Sequence, residues 1–183
     1  MKSFGLSHST HSSCIFFKIM KNELIYINES LSHTICDAQK LALSFCDTMK
    51  PDIFGSFKVK RSELEKRIYD TVNAFAPLQK QITEAVKKTL LLRSSVLKSI
   101  ETLYLEGRED EAKELSALLE KIEITQNVCI GISEGCISDY VGLLDSSLSY
   151  FSEKKEADIN VSELNAYARA FFLRSEEYRR QLK

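Results

Sequence analysis

Proline and glycine are scarce, two and six residues out of 183. Both residues break or weaken helices, so their rarity argues for long helices and few turns. The five cysteines, at positions 14, 36, 46, 129 and 136, are odd in number and form no C-x-x-C pair. Neither a disulfide framework nor a zinc site is therefore suggested, and free thiols buried in the core are expected. Cys129 and Cys136 stand seven residues apart, too far for an intrahelical disulfide. Histidine is limited to His8, His11 and His33. Without any E-x-x-H or H-E-x-x-H pair the chain cannot build a carboxylate-bridged di-metal bundle.

No glycine-rich phosphate loop is present, and Ser95-Val-Leu-Lys98 lacks the partner motifs of a serine acylase. Neither a cofactor nor a catalytic residue is indicated. Apolar runs stay well below the ~18 residues that a transmembrane helix needs. The segment Cys14 to Met20 is too short and interrupted for a secretory signal. A cytoplasmic protein is expected, with secretion lacking a cleaved signal left open. With 25 Lys/Arg against 26 Asp/Glu the net charge is −1, which gives no global pull toward nucleic acid or acidic membranes.

What the chain does contain is helical periodicity. Residues 1–20 show none that is sustained and are read as a disordered tail, with Met20 a candidate natural start and 21–183 a single domain. A first helix over about 22–49 repeats Leu24, Leu31, Ala38 and Phe45 every seven residues. Asn28, Ile35, Ala42 and Met49 interleave with them, a coiled-coil-like seam with one polar position. A second helix over about 62–106 carries a row through Leu64, Ile68, Val72, Phe75, Leu78, Ile82, Val86, Leu90, Leu97, Ile100 and Tyr104. Pro77 should kink it. Gly107 ends it, and a third helix follows over about 109–152. A fourth, over about 161–182, turns Leu164, Ala168, Phe171, Ser175, Tyr178 and Leu182 inward.

The fold class these elements define is all-α: an antiparallel four-helix bundle around a long central hairpin, its tip near 97–118 projecting beyond the shorter outer helices. A compact bundle of five or six helices, broken at Pro77 and near Asn127, is the alternative.

Two places stand out as candidate surfaces. From Ile124 to Phe151 the chain has no Lys or Arg, although 28% of all residues are charged. Apolar positions recur there at Ile130, Ile137, Val141, Leu144, Leu148 and Phe151, and again at Ile132, Cys136, Leu143 and Tyr150. Between these rows runs a line of small residues, Gly131, Gly135, Ser138, Gly142 and Ser149, with Asp139 and Asp145 beside it. Such a line admits close approach of another helix, in which case a methyl at Gly135 should overpack. Alternatively it forms a groove or ligand pocket around Gly135, Asp139 and Gly142, with the acids as anchors.

The second place is the Gly107 turn, where Glu101, Glu106, Glu109, Asp110, Glu111 and Glu114 cluster. The leading expectation is a non-enzymatic interaction protein, a scaffold, adaptor or chaperone-like partner. It would bind a protein, or a second copy of itself, through this tip or a helical groove. A small-ligand-binding or catalytic bundle is the alternative.

Overall fold

The computed structural model describes residues 9–47, 61–152 and 161–183. All of the regular structure among them is helical, with no strand. Helix α1 runs Ser9–Asp47, α2 Arg61–Leu105, α3 Glu109–Ile132, α4 Asp139–Ser152 and α5 Val161–Arg180. A π-helical turn, Ser133–Ser138, joins α3 to α4 without an interruption, its flanking residues staying in the right-handed helical region. The first eight residues of the expected tail, and the expected end of the first helix at Met49, lie outside the described residues.

The hairpin between α2 and α3 turns on Gly107. Its φ of 72° is one that a residue with a Cβ adopts only under strain. The Gly107 N–H donates to the Tyr104 carbonyl at 3.1 Å and the Arg108 N–H to Leu103 at 2.9 Å. This 5→2 and 6→1 pair of bonds is the Schellman arrangement, which satisfies carbonyls left over at a helix C-terminus. With that stop, α3 lies back along α2; α1 packs on α2 and α5, and α5 touches α1, α3 and α4.

In the seven-residue rows of α1, Leu24, Leu31, Ala38 and Phe45 are each at most 4% exposed, Ile35 and Ala42 are fully enclosed, and Asn28 is partly buried. In the lower core Phe75 packs edge-on against Tyr140 and Phe171, which tilt against each other, with the three centroids 5.3–5.8 Å apart. The Tyr140 hydroxyl donates to the Ala42 carbonyl at 3.4 Å. The upper core is a separate cluster in which Met20, Leu24 and Ile27 of α1 meet Leu92, Val96 and Leu103 of α2 and Leu115, Leu118 and Ile122 of α3.

Several expectations are corrected. Helix α1 starts at Ser9, not Asn22, so it takes in part of the expected tail and buries Met20. It consequently reaches much further up the hairpin than a helix starting at Asn22 would. Helix α2 continues through Pro77 and α3 through Asn127, which removes the five- or six-helix alternative.

The apolar row assigned to α2 holds up to Val86, and Ile100 also packs partly buried against the core, but three of its upper members are one residue out of phase. Leu90, Leu97 and Tyr104 are 53%, 39% and 52% exposed, while Thr89, Leu92, Val96 and Leu103 are buried. The run Leu90-Leu91-Leu92 puts leucine on three faces at once, so periodicity cannot choose among them there. Ile130 and Leu143 are likewise half-exposed. A π turn accommodates an extra residue, and it separates the buried row Val128, Cys129 and Ile132 from the row Ile137, Tyr140 and Leu144.

Candidate functional site

Of the two surfaces singled out by sequence, the acidic tip is partly neutralised from within. Arg108, the residue after the turn, donates from Nε to Glu111 Oε1 at 2.7 Å and from Nη1 to Glu106 Oε2 at 2.9 Å. Its second Glu111 contact, from Nη2, is 2.5 Å long. These bonds raise the guanidinium pKa further above its ordinary value, with the Glu111 hydrogen bond the largest cause. Asp110 pairs with Lys113 at 3.3 Å. Glu101 and Glu109 are exposed, and Glu114 points toward a different feature, described below. The tip also has a packed interior, since Leu103, Ala112 and Leu115 are buried.

The small-residue row divides in two. At Gly131 a Cβ would fall 2.3–2.6 Å from Cζ, Cε1 and Oη of Tyr178, so the α5 tyrosine fills the space that glycine leaves. At Gly135, inside the π turn, the nearest atom would be an Arg174 guanidinium nitrogen at 3.3 Å. Arg174 in turn holds Asp139 at 2.9 Å. The Ser138 hydroxyl donates back to the Ser133 carbonyl at 2.9 Å, spanning the π turn. Gly142 has nothing within 4 Å of a built Cβ, and Asp145 is exposed. One end of the row is thus a seat for α5, and the other faces open space.

Helix α5 is held on that seat by polar anchors, of which the sequence reading names Ser175 as inward-facing and Asn28 as the polar seam position but not Gln39, Glu176 or Thr125. Gln39 Nε2 of α1 donates to Ser175 Oγ at 3.0 Å and Glu176 Oε2 at 3.4 Å. Glu176 also takes a two-point contact from Arg179, at 2.7 and 2.8 Å. That contact is the main reason its carboxyl sits at about 2, well below the usual carboxylate range. At the end of the helix, Asn28 Nδ2 donates to the Leu182 carbonyl at 3.3 Å. The Asn28 Oδ1 accepts from the Thr125 hydroxyl at 2.8 Å. The one polar position in the α1 seam is therefore the point where α1, α3 and the end of α5 are tied together.

Beyond that tie α5 stops, but α1 and α3 do not. Helix α5 has 20 residues against 39 in α1 and 45 in α2. The α1/α3 face that would continue its seat is left as a groove of about 410 Å³. Leu24 and Leu118 form its buried floor, while half-exposed Ile25, with Phe17 and Ala117, forms its sides. Lys21, Lys121 and Lys183 stand around it, with Glu29 and Glu114 near its two ends. From the sequence Leu24, Asn28 and Leu182 read as inward-facing positions and Glu114 as part of the acidic tip; none reads as lining a groove. The signal that could have found them is the mismatch in helix length, which leaves the α1/α3 face uncovered beyond the end of α5.

Burial pushes the thiols of Cys129 and Cys136 up to about 11, so neither is a nucleophile at neutral pH. Among the described residues no three His, Cys, Asp or Glu side chains converge on a metal-sized site. No described helix is long and apolar enough to cross a membrane. Comparison of the chain with family models, with curated proteins and with solved structures finds no match.

Proposed function

We propose that this chain is a non-enzymatic helical interaction protein, an adaptor or scaffold that receives a helix of a protein partner in the groove beyond the end of α5. In this reading the long hairpin, kinked at Pro77, and the two outer helices form an antiparallel four-helix bundle. The bundle is complete in its lower half and lacks its fourth helix in its upper half.

The observation that carries the reading is continuity. The groove is the same face of α1 and α3 that seats α5, extended past Asn28 and Thr125 with an apolar floor at Leu24 and Leu118. A face shaped for one helix is shaped for another, and grooves between helices take amphipathic helices through apolar anchors at i, i+3/i+4 and i+7. The acidic tip is less suited, because Arg108 and Lys113 already engage three of its acids. The neighbourhood of Gly135 and Asp139 is less suited to a small ligand, because Arg174 and Tyr178 occupy it.

Selection from a displayed library of helical peptides tests the reading, run in parallel against the wild-type chain and against Ala117→Arg. Ala117 is exposed within the groove, so an arginine there obstructs it without entering the core. The expected outcome is a set of amphipathic binders that the variant loses. Binders indifferent to Ala117→Arg, or none at all, would overturn it.

A further inference from the structure

The charges around the groove narrow what its occupant must look like. Lys21 projects from α1, Lys121 from α3 and Lys183 from beyond the end of α5. Among the described residues none of the three takes part in an ion pair; Arg179, a fourth cation at the groove, is held by Glu176.

Helices α1 and α3 run parallel, and the Asn28–Thr125 bond sets their register. Counting up each helix from that bond puts Leu24 level with Lys121 and Lys21 level with Leu118. The two lysines therefore flank the apolar floor from opposite walls, about 4.5 Å apart along the axis at ~1.5 Å per residue. The two groove carboxylates lie elsewhere: Glu29 is just below the α5 tie and Glu114 at the level of Phe17. The middle of the groove thus presents an apolar strip between two uncompensated positive charges.

We infer, on the reading that the groove takes a partner helix, that this partner helix is acidic and amphipathic, with carboxylates on both flanks of its apolar stripe. From Phe17 to Asn28 the open track is about 16 Å at ~1.5 Å per residue, three helical turns. An apolar residue on each turn meets Phe17, then Leu118, then Leu24 with Ile25, and Asp or Glu beside the central turn meets Lys21 and Lys121. Opposite charges at such a partly desolvated rim set orientation and reject wrong partners more than they add affinity. The inference therefore concerns selectivity.

The test uses two synthetic fourteen-residue peptides with the same leucine stripe. One carries Glu on both flanks, the other Lys, and each has a fluorophore for anisotropy with the full chain. The Glu-flanked peptide is expected to bind at least about tenfold more tightly at low salt, with the advantage shrinking as screening shortens the Debye length. In Lys21→Glu/Lys121→Glu the preference should reverse, while the unfolding midpoint confirms that both exposed substitutions leave the fold intact.

Equal binding of the two peptides, each lost with Ala117→Arg, would overturn the charge inference and leave the groove reading standing. A display experiment that yields no groove-dependent binder would overturn both. Saturable oleate binding without peptide binding would overturn the inference by naming a different occupant. So would a two-copy mass by light scattering that Ala117→Arg abolishes.

Discussion

Adding one methyl group at each of three glycines should give three different signs, because the same helix face passes from contact to open space. Alanine in place of glycine inside a helix is worth about 1 kcal/mol through propensity alone. At Gly142 nothing opposes that gain, since no atom lies within 4 Å of the new Cβ. Gly142→Ala should stabilise by about the full amount, or ~2–4 °C in midpoint for a chain of this size. At Gly135 the new methyl would meet the Arg174 guanidinium at 3.3 Å. That group ends a flexible side chain and can move, at the cost of weakening its exposed pair with Asp139, worth ~0–1 kcal/mol. Gly135→Ala should therefore be close to neutral, a milder outcome than the overpacking that the small-residue row suggests when read as sequence.

At Gly131 the Tyr178 ring stands 2.3–2.6 Å from the built Cβ and must shift by about 1 Å to reach ordinary contact. Overpacking of that kind costs ~1–3 kcal/mol, so Gly131→Ala should lose about 1 kcal/mol net of propensity. The control is the background: in Tyr178→Ala the space is vacated, and Gly131→Ala should become stabilising. Denaturant midpoints of the three variants and of the double-mutant cycle are the assay. Gly131→Ala stabilising the wild-type chain as much as Gly142→Ala would refute the reasoning that α5 sits on this glycine.

Other consequences are simpler to check. The carboxyl of Glu176 is held at about 2 in the folded chain. A depressed folded value contributes stability that is present above the unfolded carboxylate range and fades as pH falls toward 2. Acid titration of the midpoint should show this, and Glu176→Gln should flatten the slope between about pH 4.5 and 2. Because burial raises both thiols to about 11, a thiol reagent at pH 8 should leave Cys129 and Cys136 of the native chain unmodified until it unfolds. Phe75→Ala removes the ring that touches both Tyr140 and Phe171 and should destabilise by ~3–5 kcal/mol.

Helix type, helix order and most boundaries were legible in the sequence because long seven- and 3.6-residue rows leave few alternatives. The apolar positions Leu24, Leu31, Ile35, Ala38, Ala42 and Phe45 of the α1 seam, and Leu164, Ala168, Phe171 and Ser175 of the α5 row, are buried as their spacing implies, with Tyr178 and Leu182 partly so. Phase was less legible. Above Val86 the tripled leucine at 90–92 satisfies two rows equally, and only packing against α1 and α3 selects Leu92. The π turn at Ser133–Ser138 leaves no mark in residue type, since its glycine and serines also suit an ordinary close contact. Met20 and Phe17 were assigned to a tail because the serine- and histidine-rich segment before them masks the row that they begin.

The groove lay furthest from view. Its lysines and leucines are ordinary members of amphipathic helices, and they line a groove only through what α5, ending at Arg180, leaves uncovered.

Methyl NMR of the full chain, titrated with the Glu-flanked peptide, compares the candidate surfaces in one measurement. If the groove beyond α5 is the docking site, shifts should concentrate on Leu24, Ile25, Leu118 and Leu182 and spare Leu105 at the tip and Leu143 near Gly142. Shifts centred on Leu105 or on Leu143, or none at saturating peptide, would contradict it.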